Sequence, residues 1–468
     1  MSYGLVIAHI TVVVTVLVVA TGLLQSVSQL FQLGLAFAAL LRRPPAERIG
    51  LIWTRYADVT PPIAFVVPAY NEERSIVDSV QSLLAMNYPQ VELVVVNDGS
   101  RDSTLKALVE FFGLIAIEHD FDDTLPHQPI RGIFRSSRDP RLIVVDKENG
   151  GKADALNCAI NLARSPLVCA IDADSLLEPD SILRAVRPFV DDPERTIAVG
   201  ATVRVANGCR IAHGRVLEVR LARSFLARLQ TIEYLRAFLM ARLAWSEIGL
   251  LTIVSGAFGV FRRQAVIEVG GYSTETVGED FELVVKMHRY MREHGRDYRI
   301  EFIPEPICWT EVPETLSSLG RQRARWHRGA LETFFKHRKM LGRRRYGRIG
   351  LVGYTNMLLI DVISPVAEVL GYVLVPLLWA LELLSVQFLI AFLALSFSLG
   401  LAVSAGAFML QQMELRGFTR TRDLIILFVT AVLENLGYRQ MNNVWRLRGF
   451  WEYLRGHRHW GHMERAGF

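Results

Sequence analysis

The chain has 468 residues, of which 51% are hydrophobic and 21% charged, and a formal net charge of +5. That balance is too apolar for a wholly soluble chain, and the modest charge, with no aromatic-interleaved basic motif, argues against nucleic acid as a partner. Cys158, Cys169, Cys209 and Cys308 are scattered with no Cys-x-x-Cys pair, which speaks against a disulfide framework and predicts buried thiols in a reducing, cytoplasmic setting.

Leu5 to Leu24 contains no Asp, Glu, Lys or Arg, and twenty apolar-dominated residues at helical rise suffice to cross a bilayer. The opening Met-Ser-Tyr-Gly lacks the basic region of a cleaved signal peptide. Residues 25 to 41 stay apolar but carry Gln25, Gln29 and Gln32, which suits an interfacial segment or a helical extension. Arg42 and Arg43 place that end on the cytoplasmic side by the positive-inside tendency. Pro44-Pro45 and Pro61-Pro62 bracket a linker.

From Ile63 to about Thr310, short β-branched runs alternate with longer mixed stretches, the pattern of an α/β domain with a largely parallel sheet. Strands are expected at Ala64–Val67, Val91–Val96, Leu142–Val145 and Leu167–Ile171, each released into a polar cluster. These clusters are Pro68-Ala69-Tyr70-Asn71-Glu72-Glu73, Asn97-Asp98-Gly99-Ser100, Asp146 to Lys152, and Asp172-Ala173-Asp174. Ligands of open α/β sheets sit outside the carboxyl ends of the strands, so the four predict one shared cleft. Asp172 and Asp174 offer oxygen ligands to a hard cation, although Asp-x-Asp alone is common in ordinary loops. Gly151-Lys152 is not a P-loop, because Asp146 and Ala153 stand where a glycine and a hydroxyl residue are needed, and no strand precedes Gly-x-Gly-x-x-Gly.

Arg215 to Arg242 reads as one long helix, either lying on the membrane surface or solvated. Val254-Ser255-Gly256-Ala257-Phe258-Gly259 and Val277-Gly278-Glu279-Asp280 are small or acidic stretches of the kind that line a cleft. Between Arg321 and Arg348 there are eleven Lys or Arg against Glu332 alone, marking a cytoplasmic face that attracts anionic headgroups. Ile349 to Leu384 is expected to form a short interfacial helix and then a span from Pro365, with Gln387 to Leu410 returning. Asp361 and Glu368 share a helical face, lining a polar passage or lying at the headgroup boundary. Leu424–Leu433 is expected to be re-entrant or interfacial, because residues 439–468, with six Arg and two Glu, suit a cytoplasmic tail. His457, His459 and His462 fit a membrane-interface or domain-contact role better than a metal cluster, given Trp451, Tyr453 and Trp460 nearby.

Six motifs in order carry a resemblance: Pro68-Ala69-Tyr70-Asn71-Glu72, Asn97-Asp98-Gly99-Ser100, Gly151-Lys152-Ala153-Asp154-Ala155-Leu156-Asn157, Asp172-Ala173-Asp174, Gly278-Glu279-Asp280 and Gln322-Arg323-Ala324-Arg325-Trp326. Over residues 66 to 326 the chain resembles the inverting, membrane-embedded family-2 glycosyltransferases that include poly-N-acetylglucosamine, hyaluronan, chitin and cellulose synthases. The resemblance implies an α/β GT-A-type domain with N- and C-terminal transmembrane helices and interfacial helices. The expected division is an N-terminal membrane segment 1–43, a cytoplasmic catalytic domain 60–320, a basic interface segment 321–348, a C-terminal membrane region 349–440 and a basic tail 441–468.

It further implies site roles. Ala69, Tyr70, Glu72 and Asp98 match donor-binding positions for the uridine, Lys152 one near the diphosphate, and Asp172 and Asp174 the pair that holds Mg2+ or Mn2+, with Asp172 also on the donor side. Asp280 matches the general base, Gln322 and Arg325 donor-binding positions of processive members, and Trp326, Glu279 and Gly256 the acceptor side. Position 97 is Asn where many relatives have Asp, and position 278 is Gly where others have Thr, so neither side chain inherits a role. The implied partners are a UDP-sugar, with UDP-N-acetylglucosamine favoured, a growing glycan or lipid-linked acceptor, the lipid bilayer, and export or accessory subunits; no nucleic acid is expected. The implied place is the plasma (inner) membrane, with the catalytic domain in the cytoplasm. Transfer of a single sugar to a polyprenyl phosphate and an inactive sugar-nucleotide-binding scaffold are the alternatives.

Overall fold

A computed structural model describes residues 3–43, 53, 56, 59–212, 214–414 and 420–456. The first helix, α1 (Tyr3–Arg42), runs unbroken, so the glutamines at 25, 29 and 32 extend the span rather than starting a separate segment. Gln32 is buried and donates to Ser28, whose hydroxyl reaches Asn356. The linker at Pro44-Pro45 and the three tail histidines lie outside the described residues.

The soluble domain is built on β1 (Ile63–Ala69), α2 (Ile76–Leu84), β2 (Val91–Asp98), α3 (Thr104–Phe112), β3 (Leu114–Ala116), β4 (Ile130–Ser136), β5 (Leu142–Lys147), α4 (Lys152–Leu162), β6 (Leu167–Ile171), β7 (Leu176–Leu177), α5 (Ser181–Asp191) and β8 (Thr196–Val205). The sheet is completed by β11 (Phe258–Arg262) and β12 (Arg299–Thr310), giving the order β3-β4-β5-β2-β1-β6-β11-β8-β12-β7. Its centre, β5-β2-β1-β6, is parallel throughout. Ile63 to Val67 and Leu93 to Val96 are buried on both faces, which is why these strands read as continuous apolar runs and not as alternation. The four expected strands are all present, and β11 then joins β6 antiparallel, with Phe258 opposite Ile171.

Two expectations fail locally. Residues 210–218 form a hairpin, β9 (Arg210–Ala212) and β10 (Arg215–Glu218), so no helix starts at Arg215. Gly214 sits there at φ +67, and the helix α6 begins only after Ser224, whose hydroxyl accepts from the Ala227 amide. That helix, α6 (Phe225–Tyr234), continues through wider turns at Leu235–Arg242 into Leu243–Glu247. Likewise Ile349–Ala380 is one helical run long enough to cross a membrane, because wide turns at Leu358–Ile363 absorb the amide missing at Pro365.

The remaining helices are α7 (Arg263–Glu268), α8 (Glu279–Glu293), α9 (Leu316–Lys336), the run Ile349–Ala380 as α10, α11 (Val386–Glu414), α12 (Thr421–Leu433) and α13 (Tyr438–Leu454). Among the described residues α1, α10 and α11 are long and apolar enough to span a bilayer; α12 and α13 meet at a 60° bend, as in a broken span or re-entrant loop. Asp361 and Glu368 on α10 both face protein. Asp361 pairs with Arg446 at 3.1 Å, and Glu368 accepts from Ser364, Tyr372 and Asn443, so α13 satisfies both.

Candidate active site

The carboxyl ends of β1, β2, β5 and β6 meet at one edge. Ala69 is in register with Asn97, Asn97 with Asp146, and Val66 with Ala170, which brings all four polar clusters level. Asn71 takes φ +58, a conformation asparagine tolerates, and laces the first two clusters together. Its side chain accepts from the Arg101 amide at 2.8 Å while its own amide donates to Ser100. Glu72 donates its amide to Thr104 and accepts from Ser75, and Tyr70 beside it is 46% exposed.

Asp98 is buried and fully engaged. Its Oδ1 accepts from the Lys147 ammonium and from Gly150 N at 2.9 Å, and its Oδ2 from Gly151 N at 2.8 Å and Asn149 Nδ2 at 3.2 Å. A carboxylate has about four acceptor sites, so a nucleobase N–H would reach Asp98 only by displacing one of these donors. Its visible work is to shape the turn that launches α4. Lys147, wholly buried, bridges to Asp154 at 2.6 Å and completes the triad. The neighbouring Asn97 differs: its Nδ2 donates to Asp146 at 2.6 Å, leaving its buried Oδ1 without a hydrogen-bond partner among the described residues. Sequence reasoning passed over Asn97, and only the Asn97–Asp146 register, invisible in one strand alone, marks it.

Lys152, the first residue of α4, is the hub. Its ammonium lies 2.5 Å from Asp172, 3.5 Å from Glu279 and 3.3 Å from the Gly256 carbonyl. Burial alone would push the ammonium down, but Asp172, Glu279 and Asp280 outweigh it and hold the group well above the ordinary lysine range. Asp280, in the first turn of α8, is fixed by two main-chain donors, Gly256 N to Oδ2 and Phe281 N to Oδ1, both at 2.8 Å. Gly256 has no room for a side chain, since a Cβ there would stand 3.0 Å from the Lys152 nitrogen and 3.1 Å from Asp280 Oδ2. Burial pushes the Glu279 carboxyl up and Lys152 pulls it down; with Asp280 pushing up again, it comes to about 7.

Asp172 follows β6 into this space, its side chain 26% exposed, and Asp174 stands two residues on. Among the described residues no three His, Cys, Asp or Glu side chains converge as a closed metal site. An all-oxygen pair open on one side fits a hard cation that keeps waters and takes ligand phosphates, and it does not fit a metal held by protein alone.

The fifth and sixth motifs meet through a glycine contact. A Cβ on Gly329 of α9 would lie 2.8 Å from the Gly278 backbone, and Glu332 on the same helix accepts from Thr276 and from Val277 N at 2.9 Å. The absence of a side chain at position 278 is therefore a condition of α9 lying against the start of α8. On α9 the Gln322 amide is 8% exposed, with its Oε1 lacking a hydrogen-bond partner among the described residues. Arg325 lies near enough for its charge to pull Glu279 down, while Trp326 is 43% exposed. Direct contacts thus join Lys152, Asp172, Gly256, Glu279 and Asp280, with Arg325 acting on Glu279 by charge. Ala69, Tyr70 and Glu72 stand at the neighbouring strand end.

Residues 167–402, half of the chain and the half that carries Asp172, Asp280 and Arg325, match the sequence profile described as glycosyl transferase family group 2. The chain belongs to that family. A second profile, glycosyltransferase-like family 2, matches residues 61–120. Among curated glycosyltransferases the chain is 28% identical over 304 residues to poly-beta-1,6-N-acetyl-D-glucosamine synthase of Staphylococcus epidermidis, covering 65% of this chain and 62% of that one. The counterpart in Staphylococcus aureus strain COL is 30% identical over 275 residues, 58% of this chain and 56% of that one. The matches therefore span less than two thirds of these relatives. A solved mannosyltransferase from Pyrobaculum calidifontis, in complex with GDP-Man and Mn2+, superposes with a TM-score of 0.56 at 19% identity, covering 96% of this chain and 98% of that one. The fold is accordingly the GT-A-like mixed α/β fold of the family, accompanied by helices long enough to cross a membrane.

Proposed function

We propose that this family-2 glycosyltransferase elongates a β-linked polysaccharide from a UDP-sugar, UDP-N-acetylglucosamine by preference, by a single displacement with inversion. The observation that carries the reading is the Asp280 carboxylate, held by two main-chain amides beside the Lys152–Asp172 pair. A sugar hydroxyl is a poor nucleophile and a diphosphate leaves well only when its charge is matched, and the two halves of this cluster answer those two needs.

Asp280 takes the proton of the acceptor hydroxyl as its oxygen attacks C1 from the face opposite the diphosphate. The C1–O bond to the diphosphate breaks, UDP leaves with the electron pair, and an α-linked donor becomes a β-linked product without a covalent enzyme intermediate. Lys152 and Arg325 hold the charge of the leaving group, and Trp326 offers a flat apolar face to the acceptor sugar. Asp172 and Asp174 would hold Mg2+ or Mn2+, which supplies further neutralisation of the diphosphate when bound. An ammonium and a divalent cation repel each other across Asp172 until a diphosphate lies between them, so donor and metal are expected to bind together. Ala69, Tyr70 and Glu72 take the uridine side, and the Asn97 carbonyl is better placed than the saturated Asp98 to accept from an imide N–H.

On this proposal the domain works at the cytoplasmic face of the plasma (inner) membrane, a reading supported by Arg42, Arg43 and the exposed cations Arg338, Lys339, Arg343, Arg344, Arg345 and Arg348 ahead of α10. Purified protein in nanodiscs, given a panel of UDP-sugars with Mg2+ or Mn2+, tests the proposal by UDP release and product linkage. The expected result is a β-linked oligomer from UDP-N-acetylglucosamine, abolished by EDTA. Products one sugar long on a lipid phosphate would favour single transfer, and donor binding without any release would favour a scaffold.

A further inference from the structure

The second residue of the Gln-Arg-Ala-Arg-Trp motif points away from the donor cluster. Arg323 is 4% exposed, and its Nη2 donates to Glu233 Oε2 of α6 at 2.7 Å. Its guanidinium carbon lies 4.3 Å from the centroid of the Trp326 ring, one helical turn on. Glu233 also accepts from two side chains of α13, Tyr438 Oη at 2.9 Å on Oε2 and Asn442 Nδ2 at 3.3 Å on Oε1. One carboxylate thus gathers α6, α9 and α13.

We propose that Glu233 is a positioning residue for acceptor binding, holding Arg323 against Trp326 and tying that stacked pair to α13. An indole that is 43% exposed has several rotamers open to it, and a cation fixed over one face selects among them while leaving the other face for a sugar. Arg323 can serve only while its own charge is matched, because a buried guanidinium without its carboxylate turns toward water. The inference rests on the reading of Trp326 as the acceptor platform, whereas the Glu233–Arg323–Trp326 contact does not.

The test is Glu233→Gln, which keeps the shape and removes the charge, with Tyr438→Phe as a milder variant that deletes one donor to the same carboxylate. Full-length protein carrying 5-fluorotryptophan, with the Trp326 resonance assigned through Trp326→Phe, is assayed with UDP-N-acetylglucosamine and a short N-acetylglucosamine oligomer. Glu233→Gln should shift the Trp326 fluorine resonance and raise acceptor KM about 3- to 10-fold, the range a lost cation–π contact allows. Donor KM should stay unchanged, and Tyr438→Phe should move both readouts the same way by less. An unmoved Trp326 resonance in both variants, or donor and acceptor KM rising together, overturns the proposal. If Trp326→Ala leaves acceptor KM unaltered while Glu233→Gln still shifts the resonance, the platform reading has failed and the positioning contact stands; Tyr438→Phe decides the matter if Glu233→Gln does not fold.

Discussion

Asp280→Asn separates the proposed base from its scaffolding. In the native chain each carboxylate oxygen accepts one main-chain amide at 2.8 Å, from Gly256 and from Phe281. An asparagine amide presents one acceptor and one donor, so whichever way it turns, one of those amides faces an NH2 group. A partly buried unsatisfied donor costs about 1–3 kcal/mol of stability, toward the low end for a half-buried site. Loss of a positioned base costs about 10² to 10⁴ in rate, or about 3–5 kcal/mol of barrier. The rate effect should therefore exceed the folding effect, and the two are measured apart: kcat by UDP release with saturating acceptor, stability by thermal unfolding in detergent. The expected outcome is a fall in kcat of at least about 100-fold with donor KM within about threefold, since Lys152, Asp172 and Arg325 are untouched. A folded variant that keeps kcat within about tenfold of the parent would refute the assignment of the base.

Three further outcomes follow from the same geometry. The folded chain holds the Glu279 proton up to about 7 while an unfolded chain releases it near the usual 4.5, so stability falls as pH rises through that window. Glu279→Gln should therefore match the parent in thermal unfolding at pH 5 and exceed it at pH 8, and an equal difference at both would contradict the burial argument. Lys147→Met strips the counter-ion from two buried carboxylates, Asp98 and Asp154, and should cost about 3–5 kcal/mol, read as a large loss of thermal stability and of donor binding. Gly278→Thr should destabilise this chain because Gly329 occupies the space, and a Tm equal to that of the parent would show that α9 can move aside.

The Lys152–Asp172 part of the site was legible because it lies just past strand ends, and strand ends announce themselves: apolar runs such as Val91–Val96 stop abruptly at polar residues. Asp172 and Lys152 were found that way, and they prove to be in contact. What stayed hidden depends on residues far apart in the chain. The saturation of Asp98 is due to Lys147 and the Gly150 and Gly151 amides about fifty residues on, and nothing around Asp98 signals it. Asp361 is met by Arg446, and Glu368, besides Ser364 and Tyr372 on its own helix, by Asn443; both α13 partners lie far on in the chain, so a one-helix reading could not tell a polar passage from a headgroup boundary. Arginine spacing across Arg215–Arg242 suggested one helix, but a turn at Gly214 outranks helical periodicity and the segment starts as a hairpin.

Helix α9 gives the arrangement its mechanical sense. Its Gln322, Arg325 and Trp326 recur at i, i+3 and i+4, one face of a helix. Other positions are bound elsewhere: Arg323 to α6, His327 to Arg446 of α13 at 3.4 Å, and Glu332 to the turn before Asp280. Burial, with the charge of Arg446, pushes His327 down to about 3, so it is neutral and accepts from Arg446 across the neutral pH range. Gly320 and Gly449 let α13 approach closely, since a Cβ on Gly320 would meet the Trp445 indole at 2.8 Å and one on Gly449 would overlap the Ala324 carbonyl. The same α13 satisfies Asp361 and Glu368 of α10. A displacement of the membrane helices would thus reach Arg325, Trp326 and the Gly278–Gly329 contact beside Asp280 through one rigid element, without passing through the sheet. Under the proposed roles, the Lys152–Asp172 pair is anchored just past strand ends of the sheet, whereas Gln322, Arg325 and Trp326 ride on a helix tied to α13, which in turn holds α10, so a movement of those helices reaches the leaving-group charge and the acceptor face together.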